Sequence, residues 1–527
     1  MATEMPTTPG VFTRASSGLV RQVGTGDVLY YGVQAVALSY IIFIALAWGA
    51  YPGASMPLAS FIAMIGGLAM GVCYALFATL YPRSGGEYVF LSRTLNPLIG
   101  FVANFSSVFW QMVLFGINAA LFCLFALSPF LAVLGVQARS QALLDASVWV
   151  SEGWGMFIVG SGMLLLLAYL QYRGAGVYFR WQRWATYVAL ATLALTIFVL
   201  ILSAAGILDF NSNFDELAGT GAYDKVVADG IAAGVAPAAS FNLGETMKFM
   251  IWPAFSIWFA VVSTSFSGEI KNVQRGQLIG ISGSIILMGV AFIVLTFLYT
   301  QAFGSDFLLS ASANGVPLDA PPYVSTFSAI AGGNVLLTIL MSLWVLLIAF
   351  FVDGAVLIFG TRSILAWAID GLAPERLGEV NEKYHSPHGA ILAYLVVGEI
   401  FLALFAFTDL LGPLSGFLGL AIAFVVVSIW SVFFPFVRKE QFENSPIAWR
   451  VGGFPLMSLL GIIATIIVLY GFIRLTVDHT FSINLNFTIG GAIVSVVVAV
   501  VWFYAWRAYR KRQGVDIDRR YQEIPIE

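Results

Sequence analysis

The chain has 527 residues, of which 59% are hydrophobic and only 10% charged, with a formal net charge of −3. An ordinary soluble domain carries about 25% charged residues, so this composition excludes a water-soluble enzyme and points to lipid as the solvent. Its 25 Lys and Arg are too few and too scattered for a surface that tracks phosphates, which excludes a nucleic-acid partner.

In chain order, residues 1–27 are polar and lack the short apolar core of a cleaved signal, so they read as a tail. Twelve apolar runs follow, near 28–48, 57–80, 98–127, 153–171, 184–206, 249–268, 277–302, 333–360, 388–407, 414–436, 455–474 and 485–506. Each approaches the roughly 20 residues a helix needs to cross a bilayer. None alternates as a strand would, so the fold class is all-α integral membrane and a β-barrel is excluded. Residues 207–248 and 303–332 are rich in Gly, Asn, Asp, Ser or Pro and read as long surface loops. Residues 507–527 form a charged tail. With the N-terminus inside, Lys and Arg residues such as Arg14, Arg83, Arg275 and Arg510 all fall on the inner face. Of the 25, only Arg139, Lys225, Lys248 and Arg474 fall outside. The positive-inside rule then predicts a multi-pass protein of the cytoplasmic membrane with both termini cytoplasmic.

Charges at membrane depth cost about 2.5–3.5 kcal/mol each, so each needs a reason. Asp353 lies ten positions before Ser363, about 15 Å along a helix and near the bilayer middle. It reads either as a coupling residue for H⁺ or Na⁺ or as a neutral acid bonded to a neighbouring helix. Glu399 in the ninth run reads as structural. The inner loops carry Arg83, Glu87, Glu269, Lys271, Arg275, Arg362 and Asp370. Opposite charges there read as an inner gate, or else as surface pairs worth about 0–1 kcal/mol each. No catalytic constellation, nucleotide-binding loop or metal-ligand spacing occurs, so neither an enzyme nor a metal site is expected. Cys73 and Cys123 lie in apolar runs, away from an exposed disulfide.

Three strings are specific: YPRSGGEYVFLSR at Tyr81–Arg93, SGEIKNVQRG at Ser267–Gly276, and TRSILAWAIDGLAPERLGEVNEKYHSPHGA at Thr361–Ala390. In their order and spacing they resemble signatures of the amino acid–polyamine–organocation (APC) transporter superfamily, over the chain from about Gly24 to the twelfth span. Val273 stands where that pattern has Pro, and Ile369 precedes Asp370. The resemblance implies a 5+5 inverted repeat of the leucine-transporter type: residues 28–206 and 249–436, joined by the loop 207–248, with 437–506 forming two peripheral helices. Five is odd, so a second copy must enter the membrane from the opposite side, as alternating access about a midplane site requires.

The resemblance further implies that the first helix of each repeat is interrupted. Near the centre of span 1 stand Gln34, Ala37, Leu38 and Ser39; in span 6, Pro253 disrupts the helix before Phe255, Ser256, Ile257, Trp258 and Phe259. These nine are the expected substrate-binding residues. Freed N–H groups at a half-helix start bind a carboxylate, and freed carbonyls accept from an ammonium. The implied function is secondary transport of amino acids by alternating access, by symport or exchange, without a cofactor. The alternatives are a polyamine or organocation permease and a non-transporting sensor. Neither pocket segment carries a fixed charge, which favours neutral, apolar or aromatic substrates. Gln111 and Asn118 also offer polar contacts. The Lys that some proton-coupled relatives carry in span 5 is absent; Ala191 or Thr192 stands there. The partners expected are a small amine substrate and the bilayer, and no oligomeric state is legible.

Overall fold

The computed structural model describes residues 18–409, 416–482 and 484–521. Residues 1–17 of the first tail, with Arg14, the start of the tenth apolar run, and the last six residues lie outside the described residues. Among the described residues, twelve helices are long and apolar enough to cross a membrane. Spans 1 to 6 are Thr25–Ala50, Met56–Leu80, Pro97–Ala138, Gly153–Tyr172, Ala175–Ala204 and Leu243–Ser265. Spans 7 to 12 are Val273–Phe303, Val335–Asp370, His388–Phe407, Phe417–Val437, Leu456–Leu475 and Leu485–Arg512.

Several spans outrun the apolar runs read from the sequence. Span 3 passes through a π-helical turn at Cys123–Leu127 and continues to Ala138, and span 8 extends through the charged motif to Asp370. The two long loops hold helices, Phe210–Ala218 and Ala222–Ala232 in the first, Ser305–Asn314 and Val324–Ala331 in the second. Asp209 starts the first of these by accepting from the amides of Asn211 and Ser212. Cys73 and Cys123 are free and buried.

Spans 1 and 6 pack against one another and against spans 2, 7 and 8. Span 3 touches spans 8, 9, 10 and 12, and span 11 lies on spans 2 and 10. Both ends of the described chain lie on one face, the tail-bearing face. There Val23 pairs with Ile270 as a parallel bridge, and Tyr521 meets Tyr88. The Glu399 carboxylate accepts from Ser161 Oγ at 2.6 Å, which ties span 9 to span 4.

Candidate functional site

Span 1 is interrupted where the sequence expects it. Its first helix, Thr25–Ala35, ends at Val36, and Ala37 adopts a left-handed conformation (φ +49°) before a 3-10 turn at Leu38–Tyr40 and a second helix at Ile41–Ala47. A non-glycine residue there costs about 1–2 kcal/mol and persists only where its surroundings hold it. Ser256 of span 6 supplies the hold, because its hydroxyl donates to the carbonyls of Val36 and Ala37, the latter at 3.0 Å. The single hydroxyl proton is shared between the freed Val36 carbonyl and that of Ala37, which also accepts from Tyr40 N at 2.9 Å.

Span 6 behaves differently. Pro253 offers no N–H to the Phe249 carbonyl, and the helix is interrupted at Met250 between Leu243–Phe249 and Ile251–Ile257. From Trp258 to Ser265 it continues as a 3-10 helix rather than opening into an extended stretch around Ser256–Ala260. The tighter winding keeps most backbone groups paired.

Beside the span 1 interruption lies a small cavity of about 10 Å³, roughly one water molecule in size. Ser39, Tyr40 and Phe43 of span 1 form one wall; Asn118, Leu121, Phe122, Phe125 and Ala126 of span 3 form another; Ala349 and Val352 of span 8 complete it. Tyr40 Oη donates to Asn118 Oδ1 at 2.6 Å, while Ser39 Oγ is buried without a partner. The remainder is apolar.

Of the nine expected binding residues, only Ser39 lines the cavity. Gln34 lies on the tail-bearing side of it, donating from Nε2 to Thr186 Oγ1 at 3.0 Å. Leu38 and Ile257 are fully buried in the core. Phe255 stacks on Tyr40 with centroids 5.5 Å apart, and Phe259 turns toward Phe417 and Phe424 of span 10. Trp258 is turned away: its Nε1 donates to Ala63 O at 3.0 Å, and its ring packs on Gly67 of span 2 and Gly471 of span 11. The glycines of those two spans admit the indole. The sequence reading missed Tyr40, Phe43, Phe122 and Phe125; only the polar Asn118 in an apolar run pointed to span 3.

Asp353 follows the lining residue Val352 on span 8. It is 0% exposed, and neither carboxylate oxygen has a hydrogen-bond partner. Asn118, Tyr40, Tyr178 and Tyr394 surround it. The hydroxyls of Tyr178 and Tyr394 are also buried and unpartnered. Gln171 and Tyr31 donate to the next carbonyls along, those of Gly354 and Ala355, each at 2.7 Å.

The tail-bearing face is laced shut. Glu269 and Arg362, each 1% exposed, pair at 2.8 Å. Asp370 pairs with Arg93 at 2.7 Å and accepts from Tyr88 Oη at 2.6 Å. Glu87 is buried without a cation and accepts from Asn104 Nδ2 at 3.0 Å; burial pushes its carboxyl up to about 7. Gly85 and Gly86 both have positive φ, and a Cβ on Gly85 would lie 2.5 Å from that of Ala366. The motif therefore needs glycine to lie against span 8 while Gly85 N donates to Ser265 O at 2.7 Å. Val23 and Lys271 exchange further backbone bonds with the chain after span 6. The expected charge set is divided. The side chains of Lys271 and Arg275 are exposed and join no ion pair among the described residues, because their loop points them to solvent. Arg83 bonds the Pro82 carbonyl. Asp27 and Arg183, which pair at 2.6 Å, were not anticipated.

A twelve-span helical protein with a broken central helix beside a small, mostly apolar cavity has the architecture of a membrane transport protein. Residues 24–505 match the amino acid permease family, so the chain belongs to that family and is an amino acid transporter. The APC resemblance read from the three motifs agrees with this. The chain is also 25% identical over 430 residues to the branched-chain amino acid permease BcaP of Lactococcus lactis subsp. cremoris (strain MG1363), covering 80% of this chain and 83% of that one.

Proposed function

We propose that the protein imports neutral aliphatic amino acids, of the branched-chain kind, across the cytoplasmic membrane by ion-coupled alternating access. The observation that carries this reading is the cavity beside Ala37, with an unpartnered Ser39 hydroxyl at a helix start facing an aliphatic and aromatic wall. A zwitterion with a short apolar side chain shares the chemistry of both parts, and its entry requires this one-water cavity to widen. The name of the Lactococcus relative points the same way. The two repeats run over 28–206 and 249–436, the outer loop over 207–248, and the peripheral helices over 437–506. The tail-bearing face is cytoplasmic, in keeping with its Lys and Arg. The inner gate consists of Glu269–Arg362 and Asp370–Arg93 with the glycine loop at Gly85. Transport opens this gate and the aromatic lid on the opposite side in turn.

Asp353 is the coupling residue in this reading. A bare carboxylate at depth takes up a cation or a proton more readily than it stays ionised and unpaired. Labelled leucine uptake into proteoliposomes, with and without imposed pH and Na⁺ gradients, is the test. Saturable uptake competed by isoleucine and valine is expected. Absence of competed uptake overturns the substrate assignment. Asp353→Asn is expected to reduce gradient-driven accumulation to simple equilibration, and accumulation at the parent level would remove Asp353 from coupling.

A further inference from the structure

The chain does not end at span 12. After Arg512 it turns back, and a helix of one turn, Ile517–Arg520, lies beneath the gate. Four residues do not hold a helix in water, and what holds this one is contact. Ile517 and Tyr521 are 2% and 7% exposed. Arg520 Nη1 donates to the Ile369 carbonyl at 2.8 Å, and Tyr521 Oη meets Tyr88 Oη at 3.3 Å. The approach is fixed upstream, where Arg510 pairs with Glu375 at 2.6 Å and Trp502 Nε1 donates to the Leu372 carbonyl at 2.7 Å.

Tyr521 sits on the Arg93–Asp370 pair. The Arg93 guanidinium lies between two rings, 5.6 Å from the centroid of Tyr88 and 5.2 Å from that of Tyr521. Arg93 belongs to the loop after span 2 and Asp370 to the end of span 8, so the pair joins two elements that must part when this face opens. An ion pair open to water is worth little; the same pair under an aromatic ring keeps its attraction and gains a cation–π contact. We propose that residues 517–521 are a gate element: Tyr521 covers the Arg93–Asp370 pair and holds the tail-bearing face shut, so release of this segment precedes opening. Tyr521 is a positioning residue, acting through Arg93. The inference rests on the transport reading only in naming what opens.

The test uses the full chain in proteoliposomes with Ser265→Cys as a reporter beneath the Gly85 loop, labelled by a membrane-impermeant maleimide from the tail-bearing face. Cys73 and Cys123 are buried, so the parent chain gives the background. Tyr521→Ala is expected to raise the labelling rate roughly tenfold, a change equivalent to about 1.4 kcal/mol. Arg520→Gln is expected to raise it less, and Tyr521→Phe, which keeps the ring over Arg93, to leave it near the parent rate. Labelling at the parent rate in both Tyr521→Ala and Arg520→Gln overturns the proposal, as does loss of leucine uptake in Tyr521→Ala without faster labelling. Should Tyr521→Ala yield no folded protein, Arg520→Gln decides by the same readout. Failure of the parent to take up leucine counts against the transport reading alone, because labelling needs no substrate.

Discussion

On the tail-bearing side of the cavity, Glu269 and Arg362 meet at 2.8 Å with about 1% exposure each, and backbone bonds from Val23 and Gly85 tie the ends of spans 1, 2 and 6 together. On the opposite side the closure is aromatic: Phe43 against Phe125 at 4.6 Å, Phe125 against Tyr323 at 5.3 Å, and Phe255 stacked on Tyr40 at 5.5 Å. The two closures differ in what they cost to open. Separating a buried ion pair gives up a strong low-dielectric attraction that rehydration of the two charges offsets only in part. An aromatic pair contributes about 0.5–1.5 kcal/mol beyond burial and loses little when its rings rotate. In the proposed cycle, the side with the ion pairs is then the costlier of the two to open.

Breaking the pair gives the largest effect. Arg362→Gln leaves Glu269 buried and unpaired and should lower unfolding stability by about 3–5 kcal/mol. Thermal unfolding in nanodiscs measures it. The double variant Glu269→Gln with Arg362→Gln should recover much of the loss, because two neutral amides strand no charge. A double variant as unstable as the single would show that packing at Arg362, not charge, closes this side.

Glu87 sharpens the same half through pH. Its folded carboxyl titrates near 7 against an ordinary value of 4.5, because burial disfavours the anion. The folded state then binds more protons than the unfolded one between those values. This contribution to stability is full below about pH 4.5 and is lost as pH rises through about 7. Glu87→Gln should flatten that slope and stabilise the protein at pH 8 by up to about 3 kcal/mol. Parallel melting curves of parent and variant from pH 5 to 8 are the measurement; identical slopes would assign the pH dependence elsewhere.

What the sequence revealed follows the same division. The span count, an interruption near Ala37–Ser39 and the presence of Glu269 and Arg362 among the inner-face charges, though not their pairing, were legible, because lipid demands long apolar runs and motif charges stand out against them. The aromatic side was not, because Phe43, Phe122 and Phe125 are common in membrane helices and nothing local separates a cavity wall from packing. Trp258 shows the converse: a large ring at the expected position turned outward because Gly67 and Gly471, distant in sequence, leave room for it. Lys271 and Arg275 carry motif positions but solvated side chains, a distinction made by loop direction rather than residue type.

Ser256 connects the halves. Its hydroxyl satisfies the carbonyls of Val36 and Ala37. Ser256→Ala should leave the Val36 carbonyl unpaired at about 1–3 kcal/mol, while Ala37 O keeps its bond from Tyr40 N, and free the left-handed turn to relax. If that turn shapes the carboxylate end of the site, the KM for leucine rises by roughly tenfold, while stability falls less than in Arg362→Gln. Unchanged KM would move substrate recognition away from the span 1 break.

Tyr40→Phe is the smallest change and bears on the lid alone. The ring, its stacking on Phe255 and its place in the cavity wall are kept, and only the bond to Asn118 Oδ1 is lost. Leaving that buried acceptor unpaired should cost about 1 kcal/mol. Because the lid closes through rings, the maximal rate should change by only a few fold. Asn118 also lies beside Asp353, so the pH-gradient dependence of uptake is the more informative readout. A shift in that dependence at nearly constant rate would link the lid hydroxyl to the coupling carboxylate. A large drop in rate with unchanged pH dependence would mean that the hydroxyl, rather than ring packing, closes the opposite side, and that the two closures are chemically more alike than their burial suggests.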